Sequence, residues 1–328
     1  MLKQLFSLSV GVLACLVFVS SVCSQEAKLA LETKGNEIHC VVNGKPLFVY
    51  RTSPASYEEL GEKEYKTYLS ELYTLEGRNI LRDSPWDHVH HHSLMFAIAA
   101  DDINFWEEFG KDKAGVQFGR FLSYHGTSET SSDKNQRTTN ATLSQKVDWY
   151  KPDKTIVLQE DRTIHFLGES DLDATLLTWT SKFSTGPDRE SVKLSGAHYY
   201  GLGMRFDETM DKNGKFFCDP DSTIAGDNVR GDEKKTPCKW MAYTAELHGK
   251  PVTVAVFDAP NNPRPMSAFT MGESGQVFAY ISATVDLEKE AITLEKDKPL
   301  TFKYGVAVWE GKKSTEEVQK VYRLWLEK

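Results

Sequence analysis

The sequence has little cysteine, no excess of basic charge, and only one long apolar run. Its 328 residues include 5 cysteines, and 39 basic side chains are outnumbered by 47 acidic ones. The formal net charge is therefore −8 at pH 7. This balance argues against nucleic acid or an anionic membrane surface as a partner, because both attract proteins through basic patches. A neutral or cationic ligand is electrostatically easier.

The one long apolar run, LFSLSVGVLACLVFVSSV, lies between Lys3 and the small residues of SVCS. This order is typical of a secretory signal peptide. We therefore expect residues 1–24 to be removed after Ser24 and the protein to be exported, to the periplasm or beyond. A lipoprotein anchored through Cys23 is less favoured, because Val22 stands where a small residue is wanted. No later run approaches the ~18 apolar residues of a membrane helix, so no transmembrane segment is predicted.

Three cysteines remain after the predicted signal peptide, namely Cys40, Cys218 and Cys238. The last two flank DPDSTIAGDNVRGDEKKTP, a polar segment with no apolar core of its own. An oxidising compartment permits a bridge there, and closing the loop would contribute on the order of 3 kcal/mol. The sequence therefore favours a Cys218–Cys238 disulfide and a buried Cys40 thiol.

Nearly all of the mature chain has the pattern of β-strands, and residues 25–328 are predicted to form a single domain. The strand-like runs are long, numerous and joined by short turns such as Asn43-Gly44, whose residues tolerate positive φ. The last segment, STEEVQKVYRLWLEK, is the exception, since Ser314 and Glu317 form a capping box before an apolar helical face. The prediction is an all-β fold, a large antiparallel β-sandwich of the galactose-mutarotase-like supersandwich kind, with one C-terminal helix.

Two charged residues interrupt an apolar strand face in TIVLQEDRTIHF. Alternate side chains of a strand share a face, so Glu160 and Arg162 project with isoleucine, leucine and phenylalanine. Burying an unpaired charge is costly. The pair is therefore either a structural ion pair or part of a ligand pocket.

The run SGAHYYGLGMRF presents a similar pattern if it is extended. His198 would then lie on one face, and Gly201, Gly203 and Arg205 on the other. Paired glycines on one strand face allow a ring or another backbone to approach closely. His198 and Arg205 are candidate ligand-binding residues, although a lone histidine in such a run is more often a satisfied core residue.

Four of the nine histidines fall within five positions in DSPWDHVHHHSLMFAIA. An extended chain would place His88, His90 and His92 on one face, where three imidazoles could bind a transition metal. A helical turn would instead pair His88 with His91 or His92. The third interpretation is proton transfer by an imidazole that Asp87 orients.

The segment DDINFWEEFG follows the histidines and brings Asn104 and Trp106 to the same end of the predicted strand. Indole rings combine a large apolar face with a polar edge. The apolar face can stack on the C–H groups of a sugar ring. Trp106, and with it Trp240, is therefore a candidate for stacking on a sugar ring.

These motifs resemble a bacterial family of unknown function that is commonly labelled methane oxygenase PmoA-like. DHVHHHSLMFA, INFW, EDR, LTWT, YGLGMRF and DAPNNP occur here in that family's order, over roughly residues 45–310. The most specific pattern is Asp-His-Pro-His-His-Arg-Gly/Ser-Leu. The residues that match it are Asp87, His88, His90, His91 and Leu94.

Two positions depart from the family pattern, with Val89 in place of proline and His92 in place of arginine. Because His92 is particular to this chain, the resemblance implies that the other three histidines and Asp87 form the working group. A divalent metal at the cluster stays open as a cofactor. The methane-oxygenase label is rejected, because a membrane-embedded oxygenase subunit needs apolar spans. A looser likeness to the sandwich of aldose mutarotases and several lyases implies sugar chemistry.

The sequence therefore predicts an exported carbohydrate-active enzyme that performs acid/base chemistry on a sugar or glycoside, as a lyase, epimerase or hydrolase. The candidate catalytic residues are Asp87, His88, His90, His91 and Glu160. The candidate substrate-binding residues are Asn104, Trp106, Arg162, His198, Arg205 and Trp240. Two alternatives belong to other classes: a non-catalytic glycan-binding protein and a histidine-ligated metalloprotein.

Overall fold

The computed structural model describes residues 29–52, 66–108, 114–131, 136–169, 172–212, 214–222, 225–272 and 277–328. The predicted signal peptide lies outside these ranges, and both its removal and the single domain over residues 25–328 stay predictions. Within the described ranges, no helix is long and apolar enough to span a membrane.

The described chain forms strands β1 to β22 and one C-terminal helix, α1. The strands are β1 Leu29–Lys34, β2 Glu37–Val42, β3 Lys45–Arg51, β4 Tyr68–Leu72, β5 Leu94–Ala97, β6 Ala99–Ala100, β7 Ile103–Asn104, β8 Val116–Ser131, β9 Gln136–Tyr150, β10 Ile156–Glu169, β11 Ala174–Thr185, β12 Ser191–Ser195, β13 Gly201–Arg205, β14 Lys215–Cys218, β15 Asp227–Arg230, β16 Glu233–Pro237, β17 Trp240–Leu247, β18 Lys250–Asp258, β19 Ser267–Met271, β20 Tyr280–Thr284, β21 Ile292–Glu295 and β22 Leu300–Glu310. Helix α1 spans Thr315–Leu326.

Two large antiparallel sheets form the body of the protein. One has ten strands in the order β1-β2-β3-β4-β5-β13-β20-β19-β16-β15, and the other has eight in the order β14-β17-β18-β22-β11-β10-β9-β8. A small sheet, β21-β12-β6-β7, lies beside them. The predicted large antiparallel sandwich with one C-terminal helix is confirmed.

The main core lies between the two large sheets, because each strand turns alternate side chains inward. In β5, Leu94 and Phe96 join the inter-sheet core together with Leu143 and Trp179 of the opposite sheet. Met95 and Ala97 of the same strand belong instead to a separate cluster on the outer face of the ten-stranded sheet. The sandwich thus has two outer faces, and each is covered differently.

Helix α1 covers the outer face of the eight-stranded sheet. Ser314 accepts a hydrogen bond from the amide of Glu317, whose carboxylate accepts one from the Ser314 amide, so the predicted capping box is present. The buried side of the helix packs on Trp309 and Trp240. Trp240 has no exposed surface, and its indole nitrogen donates to Gln319 of the helix. The expectation that Trp240 stacks on a substrate is therefore wrong, because the helix covers it.

The Asn43-Gly44 turn signal in the sequence places a hairpin correctly. Asn43 and Gly44 have φ values of 53° and 78°, and they join β2 to β3. His248 and Gly249, at 50° and 77°, join β17 to β18 in the same way. Asparagine and glycine adopt positive φ readily, which is why the first turn could be recognised.

Three local expectations are corrected. Strand β13 begins at Gly201, whereas His198 lies in the preceding turn, closed by a bond from the Tyr200 amide to the Ala197 carbonyl. The polar segment between Cys218 and Cys238, expected to be a loop, contains β15 and β16. Finally, Cys218 and Cys238 are both free thiols, so the predicted disulfide is not formed, while Cys40 is a buried thiol as expected.

Candidate functional site

The histidine-rich segment folds as a closed loop of two successive turns, neither strand nor helix. The His88 amide donates to the Pro85 carbonyl, and the His91 amide donates to the His88 carbonyl, each at 2.9 Å. A backbone bridge between Asp83 and His92 closes the loop. Strand β5 begins only after the loop, so the extended and helical interpretations of this segment are both wrong.

Three of the four imidazoles come together in this loop. The rings of His88 and His91 stack with their centroids 4.6 Å apart, and His90 meets His91 edge-on at 4.8 Å. His92 lies apart from them, and its two ring nitrogens face carboxylates of Asp83 and Glu108. The grouping that the family pattern implied, without His92, is the one that the turns produce.

The three histidines line one end of a hollow of about 250 Å³ on the outer face of the ten-stranded sheet. Its remaining walls are five aromatic rings, one methionine and three charged side chains. These residues are Trp106, Tyr199, Phe269, Phe278, Tyr280, Met271, Glu107, Arg230 and Glu233. The floor is thus apolar, while groups that can carry charge surround it.

A glycine in β13 makes room for part of this floor. A Cβ atom on Gly203 would lie 1.7 Å from the hydroxyl oxygen of Tyr280 on the adjacent strand. The two strands pair directly, with Arg205 opposite Tyr280. The expectation that a ring approaches one of the paired glycines is met here, and the space allows the Tyr280 ring to lie 5.3 Å from the His91 ring.

Asn104 supports the hollow without lining it. Its side-chain oxygen accepts hydrogen bonds from the amides of Trp106, at 2.7 Å, and Glu107, at 3.2 Å, and from the Tyr200 hydroxyl, at 2.9 Å. Trp106 in turn stacks on the Tyr200 ring at 5.4 Å and is only 1% exposed. The face of the Trp106 indole is therefore covered by Tyr200. Trp106 forms part of the wall of the hollow and does not offer the exposed ring face that was expected to stack on a sugar. Asn104 is a structural residue in this arrangement.

Burial controls the charge of two imidazoles. Desolvation, followed by electrostatic repulsion from the adjacent His90 and His88 rings, lowers the pKa of His91 to about 2. Desolvation also lowers the pKa of His90, and the nearby Glu107 carboxylate partly opposes this. Both rings are consequently neutral near pH 7, and each presents a lone pair that can accept a hydrogen bond.

The fourth member of the predicted working group, Asp87, lies between a histidine and an arginine. Its carboxylate is 3.2 Å from Nδ1 of His88 and accepts a hydrogen bond from Arg205 at 3.1 Å. Desolvation raises the pKa of Asp87, but the contacts with His88 and Arg205 outweigh it and leave the pKa below its usual value. The buried guanidinium of Arg205 also lies over the Phe278 ring, 3.6 Å from its centroid. Arg205 thus lies behind the Phe278 wall of the hollow and does not line it, contrary to the expectation that it binds substrate.

Two carboxylates of the hollow, those of Glu107 and Glu233, were not predicted from the sequence. Glu107 follows Trp106 directly, and its carboxylate is 3.5 Å from Nδ1 of His90. Glu233 begins β16, in a segment read as a loop, and is bonded by Arg230 at 2.7 Å and His198 at 3.0 Å. The position of Glu107 beside a candidate indole was a usable signal, whereas nothing local distinguished Glu233.

Glu160 and Arg162 do not face the hollow, which corrects the expectation that they act on a substrate. Both side chains have no exposed surface, and they form a bidentate ion pair with two contacts of 2.8 Å between the two large sheets. The Glu160 carboxylate also accepts bonds from Trp149 and Ser181, and Arg162 donates to the Thr67 carbonyl. Of the two interpretations of this pair, the structural one fits.

The described part of the chain contains no group of three or more His, Cys, Asp or Glu side chains arranged to hold a metal ion. The metal set of His88, His90 and His92 is not assembled, since the carboxylates of Asp83 and Glu108 engage both nitrogens of His92.

The fold has counterparts among solved proteins. The GH36 α-galactosidase AgaB from Geobacillus stearothermophilus superposes with a TM-score of 0.50 at 11% identity, over 86% of this chain and 41% of that one. The α-galactosidase AgaA from the same organism gives 0.43 at 8% identity, with the same coverage of both chains. This chain thus spans about two fifths of the length of these enzymes, and the likeness to AgaB shows the galactose-mutarotase-like sandwich fold alone.

No curated protein sequence matches the chain. A family model does match, over residues 37–323, and its description is a family of unknown function. This range includes the histidine loop, both carboxylates of the hollow and most of helix α1. It confirms the predicted membership in a family of unknown function, while the methane-oxygenase label stays untested. The chain belongs to the family of unknown function DUF6807.

Proposed function

We propose that this protein performs acid/base chemistry on a sugar or glycoside held in the hollow, as a lyase, epimerase or hydrolase. One observation carries the proposal: three imidazoles and two carboxylates surround a single aromatic floor. Groups that can exchange protons are thereby set against a surface that suits a ring. The shared fold with an α-galactosidase supports a sugar ligand and says nothing of the bond.

The size and lining of the hollow favour one sugar unit. Its volume of about 250 Å³ is slightly below the ~300–1,000 Å³ that is usual for small-molecule sites. Aromatic side chains provide apolar contact to the C–H faces of a sugar, and the polar rim satisfies its hydroxyl groups. An oligosaccharide would therefore insert a single unit and leave the others outside.

Two histidine–carboxylate pairs are the candidate proton-transfer groups. Glu107 orients His90, and Asp87 orients His88, so one imidazole can remove a proton while the other delivers one. His91 is assigned to the wall, because a group with a pKa of about 2 cannot donate a proton near pH 7. Glu233 and Glu107 together supply the two carboxylates that glycoside hydrolysis normally uses, so hydrolysis stands beside elimination and epimerisation.

We further propose that this chemistry takes place outside the cytoplasm. The support is the charged and apolar leader of residues 1–24. Free thiols at Cys218 and Cys238 are compatible with export, because an oxidising compartment permits disulfides without requiring them.

The test is incubation of the mature protein with a panel of glycans, read by mass spectrometry. Hydrolysis adds water, elimination leaves an unsaturated product, and epimerisation leaves the mass unchanged and requires chromatography. On whichever substrate is converted, His90→Asn and Glu107→Gln are expected to lower kcat between about a hundredfold and ten-thousandfold, the usual contribution of a general acid or base.

Matched controls come from an exposed hairpin that contributes no residue to the lining of the hollow. His248→Asn and Glu246→Gln make the same chemical changes on β17 and its turn, and both should retain parental turnover. Parental rates in His90→Asn and Glu107→Gln would refute the proposed roles. Sugar binding that survives both substitutions, with no product from any glycan, would instead favour the glycan-binding protein.

A further inference from the structure

His92 is buried beside the hollow with an acidic group at each ring nitrogen. Nε2 lies 2.6 Å from the Glu108 carboxylate, and Nδ1 lies 3.1 Å from the Asp83 carboxylate. The Ser84 hydroxyl is also 3.1 Å from Nδ1, and the ring stacks on Tyr68 at 4.5 Å. The side chain is only 6% exposed, so water does not compete for these contacts.

This geometry fits the charged imidazolium better than either neutral ring. A neutral imidazole has one donor and one acceptor nitrogen, whereas the imidazolium donates from both. With a neutral ring, Ser84 could donate to Nδ1, but the Asp83 oxygen would then face a lone pair. The charged ring satisfies Asp83 and Glu108 at once, as a charge-assisted pair of hydrogen bonds.

The two carboxylates belong to different loops, and each loop carries part of the hollow. Asp83 opens the loop with the three clustered histidines, and Glu108 follows Glu107 on the loop after β7. A second buried cation, Lys66, donates to Glu108 at 3.2 Å and to the carbonyls of Trp106 and Glu107 at 2.6 and 2.9 Å. His92 therefore links the two loops, and Lys66 secures one of them.

We propose that the His92 imidazolium is a positioning residue, which sets the distance between the His90 and Glu107 sides of the hollow. The inference rests on the proposed function, since its importance for turnover depends on catalysis in the hollow. It goes beyond that function because His92 itself lines no part of the cavity. Loss of the charge would leave two half-buried carboxylates facing each other across a neutral ring, and the loops would move apart.

All charged groups that face His92 act on its proton. Desolvation and the charge of Lys66 oppose protonation, while the bonds to Asp83 and Glu108 favour it and leave the pKa above the usual histidine value. Arg51, 3.9 Å from Asp83, and the Tyr68 hydroxyl, which donates to Asp83 at 3.0 Å, compete for the same carboxylate. Because the pKa of His92 is raised in the folded protein, the link from its imidazolium to Asp83 and Glu108 is complete below pH ~6.5. It is lost as pH rises through the folded value.

The direct test needs no substrate. Nitrogen NMR of the full mature chain, grown with isotope-labelled histidine, reports the protonation of each ring, and the His92 signals are assigned by their absence in His92→Arg. We expect both nitrogens of His92 to carry protons at neutral pH. A neutral tautomer at neutral pH would overturn the inference and leave the proposed function untouched.

The second test measures turnover of a substrate found in the glycan panel. His92→Gln should lower kcat by between about tenfold and a hundredfold, the cost of a slight misplacement of reacting groups. His92→Arg keeps a charge at every pH, so it should retain more activity than His92→Gln and lose less of it at alkaline pH than the parent. His39→Gln, which removes a histidine paired with Glu37 on β2, is the matched control.

The outcomes separate cleanly. Parental kcat in a folded His92→Gln protein, or an alkaline decline in His92→Arg identical to that of the parent, would refute the positioning role. Absence of turnover from every glycan would refute the proposed function, while the NMR result would still decide whether His92 is the charged link. Thermal unfolding of each variant establishes that it is folded at the assay temperature.

Discussion

Among single residues, His91 most clearly depends on its burial. Its ring contacts His88, Trp106, Phe278 and Tyr280, all within 5.5 Å between centroids. A charged imidazolium in this aromatic cage would lose its hydration and find no acidic partner, so the ring stays neutral. The same residue type one position later is surrounded by carboxylates and favours the charged form. Neighbours, and not residue type, decide the role of each histidine.

His91 should therefore make the protein sensitive to acid. Its pKa falls from the usual ~6.5 to about 2 in the folded state, so only the unfolded chain takes up this proton as pH drops. The contribution of His91 to the free energy of unfolding is complete above pH ~6.5, and it declines below that pH by up to about 1.4 kcal/mol per pH unit. We expect His91→Phe to unfold at a temperature that falls less steeply with acid than the parent's, measured by thermal unfolding across this range.

The control for this effect is His248→Asn, which removes an exposed histidine from the β17–β18 turn. Asparagine tolerates the positive φ of that position, and the variant should follow the parental acid decline. If His91→Phe lost stability in acid as steeply as the parent and this control, the protonation of His91 would not be the cause.

At the scale of elements, helix α1 depends on its first turn. The capping box satisfies amides that have no partner within the helix, and the helix buries Trp240 and Trp309. Ser314→Ala should lower the free energy of unfolding by about 1 kcal/mol, measured by chemical denaturation. Ser314→Asp, which restores an accepting oxygen, should recover most of the loss.

Lys320→Ala gives the matched comparison for this prediction, because it alters an exposed position of the same helix without touching the cap. Alanine is a strong helix former, so little change is expected. A loss of stability in Lys320→Ala equal to that in Ser314→Ala would show that the cap has no special weight. Neither change should affect the hollow, which lies on the other outer face of the sandwich.

Elements with a strong local signal were predictable, and the histidine loop was not. Strand alternation, the Asn43-Gly44 turn and the Ser314–Glu317 box each depend on neighbours in sequence. The loop depends instead on turns closed by bonds from His88 to Pro85 and from His91 to His88. A run of similar polar residues has no period that distinguishes such turns from a strand, so its conformation had to come from the structure.

The whole molecule explains why one half of the predicted site was misplaced. Alternation correctly put Glu160 and Arg162 on the buried face of β10, but a strand pattern does not specify which pair of layers encloses that face. Arg162 lies between the sheets and donates to the Thr67 carbonyl. The hollow lies on the opposite, outer face of the ten-stranded sheet. Glu107 and Glu233 supply the carboxylates there. Only the packing of the layers, a long-range property, separates these two sets.

That packing leads to a prediction for the ion pair. Glu160→Gln would leave the Arg162 guanidinium buried without its charged partner, so the free energy of unfolding should fall by about 3–5 kcal/mol, measured by chemical denaturation. Because the pair lies between the sheets, turnover per folded molecule should remain parental at temperatures below the transition. The double variant Glu160→Met/Arg162→Met should regain much of the lost stability, since apolar replacement of a buried ion pair is often neutral. A stable Glu160→Gln protein with no turnover would instead return Glu160 to the catalytic machinery.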